Sequence, residues 1–467
     1  MPKTKFTEFS MEKRGNWSST FGFLMAAIGS AVGLGNMWGF PYKMGSNGGF
    51  AFLIIYLVLA LLCGIVIMTI EMTIGRKTGK SPVLAMGQIG KRFKFVGWFG
   101  VLSAFIIMGF YTMIMGWVVR YVVDFFQAMI GIDVFAGMNG VEYFSSVYTD
   151  TTASFIYTFI AFALTSVIVM GGVSKGIERF SKIAIPALFG LLIVVIIKGL
   201  TMPGAGEGVK FMFTFDAENF NLFKTVRSAG GQMMFSLSLG MGILITYGSY
   251  MNKSENISRS AYIIPIADTI IAILSGLAIF PAVFALGMEP GGGVGLLFST
   301  LHGVFNDMGA IGPFFGFLFY ILVLIATVTS TVSLVEVVAA HFIDTRIDKG
   351  KPAKRKLVTG LCCLAMFVIS IPVIFDKLGE GGMIRPLGMI WLDFYDFVSE
   401  GLMMPIGALV LCILVGWKLK MKFIDDEITL NGNKFVGRGF FAVCVKYVTP
   451  ILFTFLIVSL ILSYFGI

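Results

Sequence analysis

Apolar runs recur along the chain near 18–42, 50–74, 95–127, 153–171, 177–199, 226–250, 261–286, 312–343, 356–374, 388–417 and 438–465, separated by polar stretches. A helix needs about 20 largely apolar residues to cross the hydrocarbon core of a bilayer. The pattern therefore predicts an all-α polytopic membrane protein with eleven transmembrane helices and no soluble domain between them. Two runs are interrupted. The first contains Gly29-Ser30-Ala31-Val32-Gly33-Leu34-Gly35-Asn36, and the sixth contains Ser236-Leu237-Ser238-Leu239-Gly240-Met241-Gly242. Opening a helix in lipid strips N–H and C=O groups of partners at several kcal/mol each, and is tolerated only where protein, water or a ligand takes them up. Close packing of small residues accounts for Gly33 but not for Asn36, Ser236 and Ser238, which need polar partners at membrane depth. Broken segments at corresponding places in two halves of a chain point to a secondary transporter with its ligand site at the breaks.

Composition agrees: the chain is 57% hydrophobic, with a mean hydropathy of +0.89. The net charge of +9 suggests nucleic acid only until the positions are read. Lys3, Lys5, Lys13 and Arg14 precede the first run; Arg76, Lys77, Lys80, Lys91, Arg92 and Lys94 follow the second; Lys349, Lys351, Lys354, Arg355 and Lys356 follow the eighth. The loop from 128 to 152 has Asp133, Glu142 and Asp150 and no Lys or Arg. Alternation of this kind follows the positive-inside rule, so the partner is a lipid bilayer and no nucleic acid. With an odd number of spans it predicts an inside N-terminus and an outside C-terminus. The first run is too long for a secretory signal, so no cleavage is expected. Cys63, Cys362, Cys363, Cys412 and Cys444 all fall in apolar runs, and His302 and His341 have no nucleophile or ligand at catalytic spacing. Nothing reads as an enzyme.

Gly33-Leu34-Gly35-Asn36-Met37-Trp38-Gly39-Phe40-Pro41-Tyr42 with Asn47-Gly48-Gly49, Phe235 to Gly242, and Ala326-Thr327-Val328-Thr329-Ser330 closely resemble the first, sixth and eighth helices of the neurotransmitter:sodium symporters. That resemblance implies the LeuT-type fold: a five-plus-five inverted repeat with helices 1 and 6 broken, the first repeat at about 17–199, the second at about 226–417 and an extra helix at about 438–465. It implies sodium-coupled symport of neutral, hydrophobic or aromatic L-amino acids by alternating access, in a bacterial inner membrane. A transporter-like receptor without turnover and a channel are the competing classes, the latter disfavoured by the lack of a repeated pore-lining charge pattern.

By resemblance, two sodium ions are expected. The first site comprises Ala31, Asn36, Ser236 and Asp268; the second comprises Gly29, Val32, Ala326, Thr329 and Ser330. Without the family context, Thr329 and Ser330 read equally as hydroxyls bonded back to their own helix. Asp268 stands where several family members have asparagine, so a fixed negative charge is present and chloride is not expected; Ala272, one turn on, has no hydroxyl to hold an anion. The N–H groups of Leu34 and Gly35 begin a half-helix whose positive end suits a carboxylate. The resemblance has Tyr111 donate to that carboxylate, with carbonyls of Ala31, Phe235 and Ser236 receiving the ammonium. The side-chain pocket would be Ile107, Tyr111, Phe235, Ser238, Met241, Ser330 and Leu334. For the inner gate the resemblance implies Arg14, Trp17 and Asp344; at the outer gate the usual arginine is replaced by Gly39, leaving Asp396 with Lys43 as its candidate partner. Gly176 and Pro186 resemble a motif whose unwinding in the fifth helix admits water, and Glu71 is a candidate acceptor for N–H groups of the broken helices. The oligomeric state is left open.

Overall fold

The structure, a computed structural model, describes residues 15–287 and 293–464. Among them the chain is helical throughout, with one isolated bridge between Gly49 and Phe215. The helices that matter below are α1 (Thr20–Ala31), α2 (Gly35–Gly45), α3 (Phe50–Thr78), α4 (Lys91–Met129), α5 (Thr151–Met170), α6 (Val173–Leu200), α7 (Leu222–Ser236), α8 (Ile243–Gly248), α9 (Ile257–Ala285), α10 (Gly309–Asp348), α11 (Arg355–Gly379), α12 (Trp391–Ile428) and α13 (Arg438–Tyr464). Nine of these are long and apolar enough to cross a membrane, and α1 with α2, bent by 50° at their junction, make a tenth. The run at 226–250 folds as α7 and α8, 15 and 6 residues long, neither able to cross alone.

Local chemistry sets the boundaries. Ser19 caps α1 by accepting the N–H of Gly22, Asp150 caps α5 by accepting that of Ala153, and Asn256 caps α9 by accepting that of Arg259. Gly79, at φ 60, ends α3 in the left-handed conformation usual for a helix C-terminus. Helix α1 stops at Val32, whose backbone is extended (φ −79, ψ 107). Between α7 and α8 the chain takes positive φ at Ser238, Gly240 and Gly242. A side chain on Gly240 would come within 2.7 Å of the Met404 carbonyl oxygen, so glycine is required there by backbone angle and by space.

The broken helices lie inside the bundle. Helix α10 packs along α4 over most of its length, and α1 is held between α6, α9 and α10. Large apolar side chains such as Ile156, Phe159, Ile193, Leu361 and Leu364 face outward, the arrangement a lipid surroundings requires.

Candidate functional site

The two breaks face each other and meet α9 at a buried carboxylate. Asp268 is fully buried and accepts from Asn36 Nδ2 at 2.8 Å, from Ser236 Oγ at 3.0 and 3.1 Å, and from Tyr56 Oη at 2.9 Å. Asn36 also turns its Oδ1 to the N–H of Gly33 at 3.0 Å, closing the turn that opens the helix. Three of the four residues expected at the first ion site are thus bonded to one another, with the fourth, Ala31, buried on the adjoining turn. A carboxylate at this depth is costly unless fully partnered, and three donors converge on it.

A second group of oxygens lies where α10 crosses the break in α1. Thr329 Oγ1 is 2.9 Å from the Ala326 carbonyl and 3.5 Å from that of Val32. Ser330 Oγ is 3.3 Å from the Ala326 and Ser30 carbonyls and 3.4 Å from Val32 O. The hydroxyls therefore bond back to their own helix and also reach across to the opened strand. Gly29 completes the approach, since a Cβ there would lie 3.2 Å from Thr329 Cβ and 3.1 Å from Ile185 Cδ1 of α6.

Between the two groups is a tight cavity of about 20 Å³. Its lining includes Ala31, Gly35, Ile107, Tyr111, Phe235, Ser238, Met241, Ser330 and Leu334, all expected in the pocket. The other two expected residues flank it: Ser236 sits on Asp268, and Leu34 donates its N–H to Tyr111 Oη at 3.1 Å. Tyr111 uses its oxygen as acceptor in that bond, so its own proton stays available to a ligand. Gly33 leaves this room, because a Cβ there would be 2.5 Å from Ser330 Oγ and 2.6 Å from Tyr111 Oη. The Tyr111 and Phe235 rings, with centroids 6.3 Å apart, close one side of the cavity.

Sequence reasoning missed Ser30 and Ser333 in the lining: Ser30 Oγ lies 3.1 Å from Oγ of the expected Ser238 and 2.8 Å from Ser333 Oγ, a chain of three hydroxyls. Tyr56 was missed too, as was Gln232, whose Nε2 donates to the Gly35 carbonyl at 2.8 Å. The only prior signal for any of these is a polar residue inside an apolar run.

Side chains expected at the two gates lie on opposite sides of this region. On the side of the basic loops, Trp17 is 2% exposed, donates Nε1–H to the Tyr247 carbonyl at 2.9 Å and packs edge-on to Tyr247 and Tyr250. Asp344 accepts the N–H of Ser81 at 2.7 Å, and Arg14 lies outside the described residues. Glu178, 1% exposed, accepts the N–H of Ser18 at 2.7 Å and pairs with Lys182 at 2.6 Å, tying α6 to the start of α1. Gly176 lies in a π-helical turn, Val173–Glu178, that runs into a wound helix containing Pro186. On the opposite side, Lys43 pairs with Glu400 at 3.9 Å, one helical turn beyond Asp396. Gly39 faces Gln232 Oε1, 3.1 Å from where a Cβ would stand. Glu71 accepts the N–H of Gly240 at 3.0 Å and so caps the opened strand between α7 and α8.

Helices broken opposite one another around a buried cavity are the arrangement of a secondary transporter. Residues 14–136 and 139–466 match the Sodium:neurotransmitter symporter family, and the chain belongs to that family. It is therefore a multi-pass membrane protein of a sodium-coupled class. It is similar to YhdH of Bacillus subtilis (strain 168), an uncharacterized sodium-dependent transporter, at 33% identity over 97% of this chain and 99% of the relative. The crystal structure of MhsT in complex with L-phenylalanine superimposes with a TM-score of 0.86 at 34% identity, covering 96% of this chain and 99% of that one. The sodium- and chloride-dependent neutral and basic amino acid transporter B(0+) of Mus musculus is 24% identical over 96% of this chain and 79% of its own length.

Proposed function

We propose that the protein is a symporter of neutral amino acids, hydrophobic or aromatic ones included, coupled to two sodium ions and independent of chloride. The observation that carries this reading is the cavity between the two oxygen groups, with an N–H and hydroxyl end at Leu34 and Tyr111 and an apolar end at Ile107, Met241 and Leu334. An amino-acid carboxylate placed at the opened start of α2 meets the Tyr111 proton and the positive end of that half-helix. The apolar end disfavours a charged side chain, which would be buried without a partner. Met241, an adaptable thioether between Gly240 and Gly242 at positive φ, gives the wall room to shift for larger side chains.

The first sodium is assigned to Ala31, Asn36, Ser236 and Asp268. A cation beside Asp268 reverses the hydrogen-bond pattern: Ser236 presents lone pairs, and the Asn36 amide, whose two ends have the same shape, turns its oxygen to the ion. The second is assigned to Gly29, Val32, Ala326, Thr329 and Ser330, where carbonyls and hydroxyls supply ligands without added charge. Lys43, Asp396 and Glu400 form the outer closure; Trp17, Asp344 and Arg14 form the inner one; Gly176 and Pro186 mark where α6 unwinds to release the second ion. Helices α7 and α8 together make a further crossing, giving eleven, in two inverted repeats (about 17–199 and 226–417) with an added helix at about 438–465. The basic loops face the cytoplasm and the membrane is the bacterial inner one, with the C-terminus outside.

A thermal-shift screen of the twenty amino acids in sodium and in potassium buffer tests the reading, since a ligand that binds the folded state stabilises it by mass action. Neutral apolar amino acids should raise Tm in sodium only. A receptor without turnover would pass this screen and fail counterflow in proteoliposomes.

A further inference from the structure

A second, larger cavity than the one at the breaks lies away from it, on the outer face of the bundle. It is a groove of about 660 Å³ between α4, α10 and α11, three helices that each cross the membrane. Its wall is apolar, with Leu102, Phe342 and Leu361 exposed to the surroundings. Its mouth is cationic: Arg346, Lys349 and Lys351 line one end, and no acidic residue lines any part of it. Trp98 stands at that same end, an aromatic in the position typical of the headgroup boundary.

The charges at the mouth are available. Among the described residues, the ammonium groups of Lys349 and Lys351 have no hydrogen-bond or ion-pair partner. Arg346 uses only its Nε–H, donated to the Pro352 carbonyl at 3.0 Å, leaving the outer guanidinium N–H groups open. Of the two carboxylates on the last turns of α10, Asp348 pairs with Lys80 and Asp344 accepts the N–H of Ser81.

We propose that this groove binds one anionic phospholipid, its phosphate held by Arg346, Lys349 and Lys351 and an acyl chain laid along α4 and α11. An apolar slot of membrane depth under a cluster of bare cations is complementary to a molecule with an anionic head and a hydrocarbon tail, and to no polar metabolite. A zwitterionic lipid fills the slot but leaves the cations unneutralised. The groove also abuts the working parts: Val338 lies one turn from Leu334, and Phe105 lies close in sequence to Ile107. A seated lipid therefore braces α4 against α10 behind the cavity.

Trp98 supplies the probe. Phosphatidylglycerol with brominated acyl chains, titrated into the full-length protein in mild detergent, should quench part of the tryptophan fluorescence saturably, and Trp98→Phe should lose that part. Arg346→Gln/Lys349→Gln/Lys351→Gln should weaken the saturable phase on the order of a hundredfold, from three interfacial charges. Brominated phosphatidylcholine should quench without saturation, and glycerol phosphate should not displace the lipid. Equal saturation by phosphatidylcholine, displacement by glycerol phosphate, or an unchanged curve in the triple variant would overturn the proposal. The comparison of the two lipids on the unmutated chain decides the matter even if a variant folds poorly.

Discussion

Tyr111→Phe removes one oxygen and leaves the rest of the ring in place, so its effect can be worked out from the contacts. The hydroxyl accepts the N–H of Leu34 at 3.1 Å, so its own proton is free to be donated to a substrate carboxylate placed as proposed above. A hydrogen bond to a charged acceptor contributes about 1.5–3 kcal/mol, equivalent to a 10- to 150-fold change in Kd. Loss of the neutral bond to Leu34 acts in the opposite direction on binding. It leaves the Leu34 N–H unpaired in the free protein, by about 1 kcal/mol, and a bound carboxylate then takes it up. The net expectation is a weakening near the lower end of that range, about tenfold. Phenylalanine keeps the tilted ring contact with Phe235, whose centroid is 6.3 Å away, so the Tm of the substrate-free variant should fall only slightly. Calorimetric titration with L-leucine and L-phenylalanine in saturating sodium measures Kd, and a separate melt measures stability. An unchanged Kd would remove Tyr111 from the carboxylate end of the site.

Thr329→Ala deletes one hydroxyl from the second oxygen group, and sodium affinity should drop about tenfold, the weight of one such ligand; by linkage, substrate affinity at low sodium falls as well. Sodium titrations that superimpose for the two proteins would contradict this. Met241→Trp overfills the cavity by about 1–3 kcal/mol, so competition by tryptophan should be lost before competition by alanine, and a preserved order would place Met241 outside the pocket. Replacing chloride with gluconate should leave uptake unchanged if, as proposed, Asp268 supplies the negative charge beside the first sodium, Ala272 offering no hydroxyl; uptake that collapses at constant ionic strength would show that an anion is needed.

The breaks were legible in the sequence because glycine and polar side chains are out of place in an apolar run: Gly29 to Asn36 and Ser236 to Gly242 declare themselves locally. So did the all-helical class and the family, each carried by contiguous residues. What was hidden is pairing at long range. Tyr56 meets Asp268 from 212 positions away, and Ser30 meets Ser333 from 303; neither has a local signature beyond its residue type. Glu178 reads as one more charge near a helix start until the fold sets it under Ser18 and Ser19. Lys43 is expected beside Asp396, and the structure adds Glu400, one turn on, as its ion-pair partner at 3.9 Å with Asp396 adjoining both, because rotation against a neighbouring helix is not visible in the sequence. Eleven crossings are expected from the sequence, whereas nine helices and one bent pair are long enough among the described residues, because the run at 226–250 folds as two short helices.

The most direct test of the central claim is accumulation of labelled L-leucine or L-phenylalanine by proteoliposomes under an inward sodium gradient. The account predicts uptake above the external concentration that vanishes when potassium replaces sodium, and that is absent in Asn36→Ala and Asp268→Ala protein. Equal uptake in potassium, or sodium-driven accumulation that survives both substitutions, would contradict it.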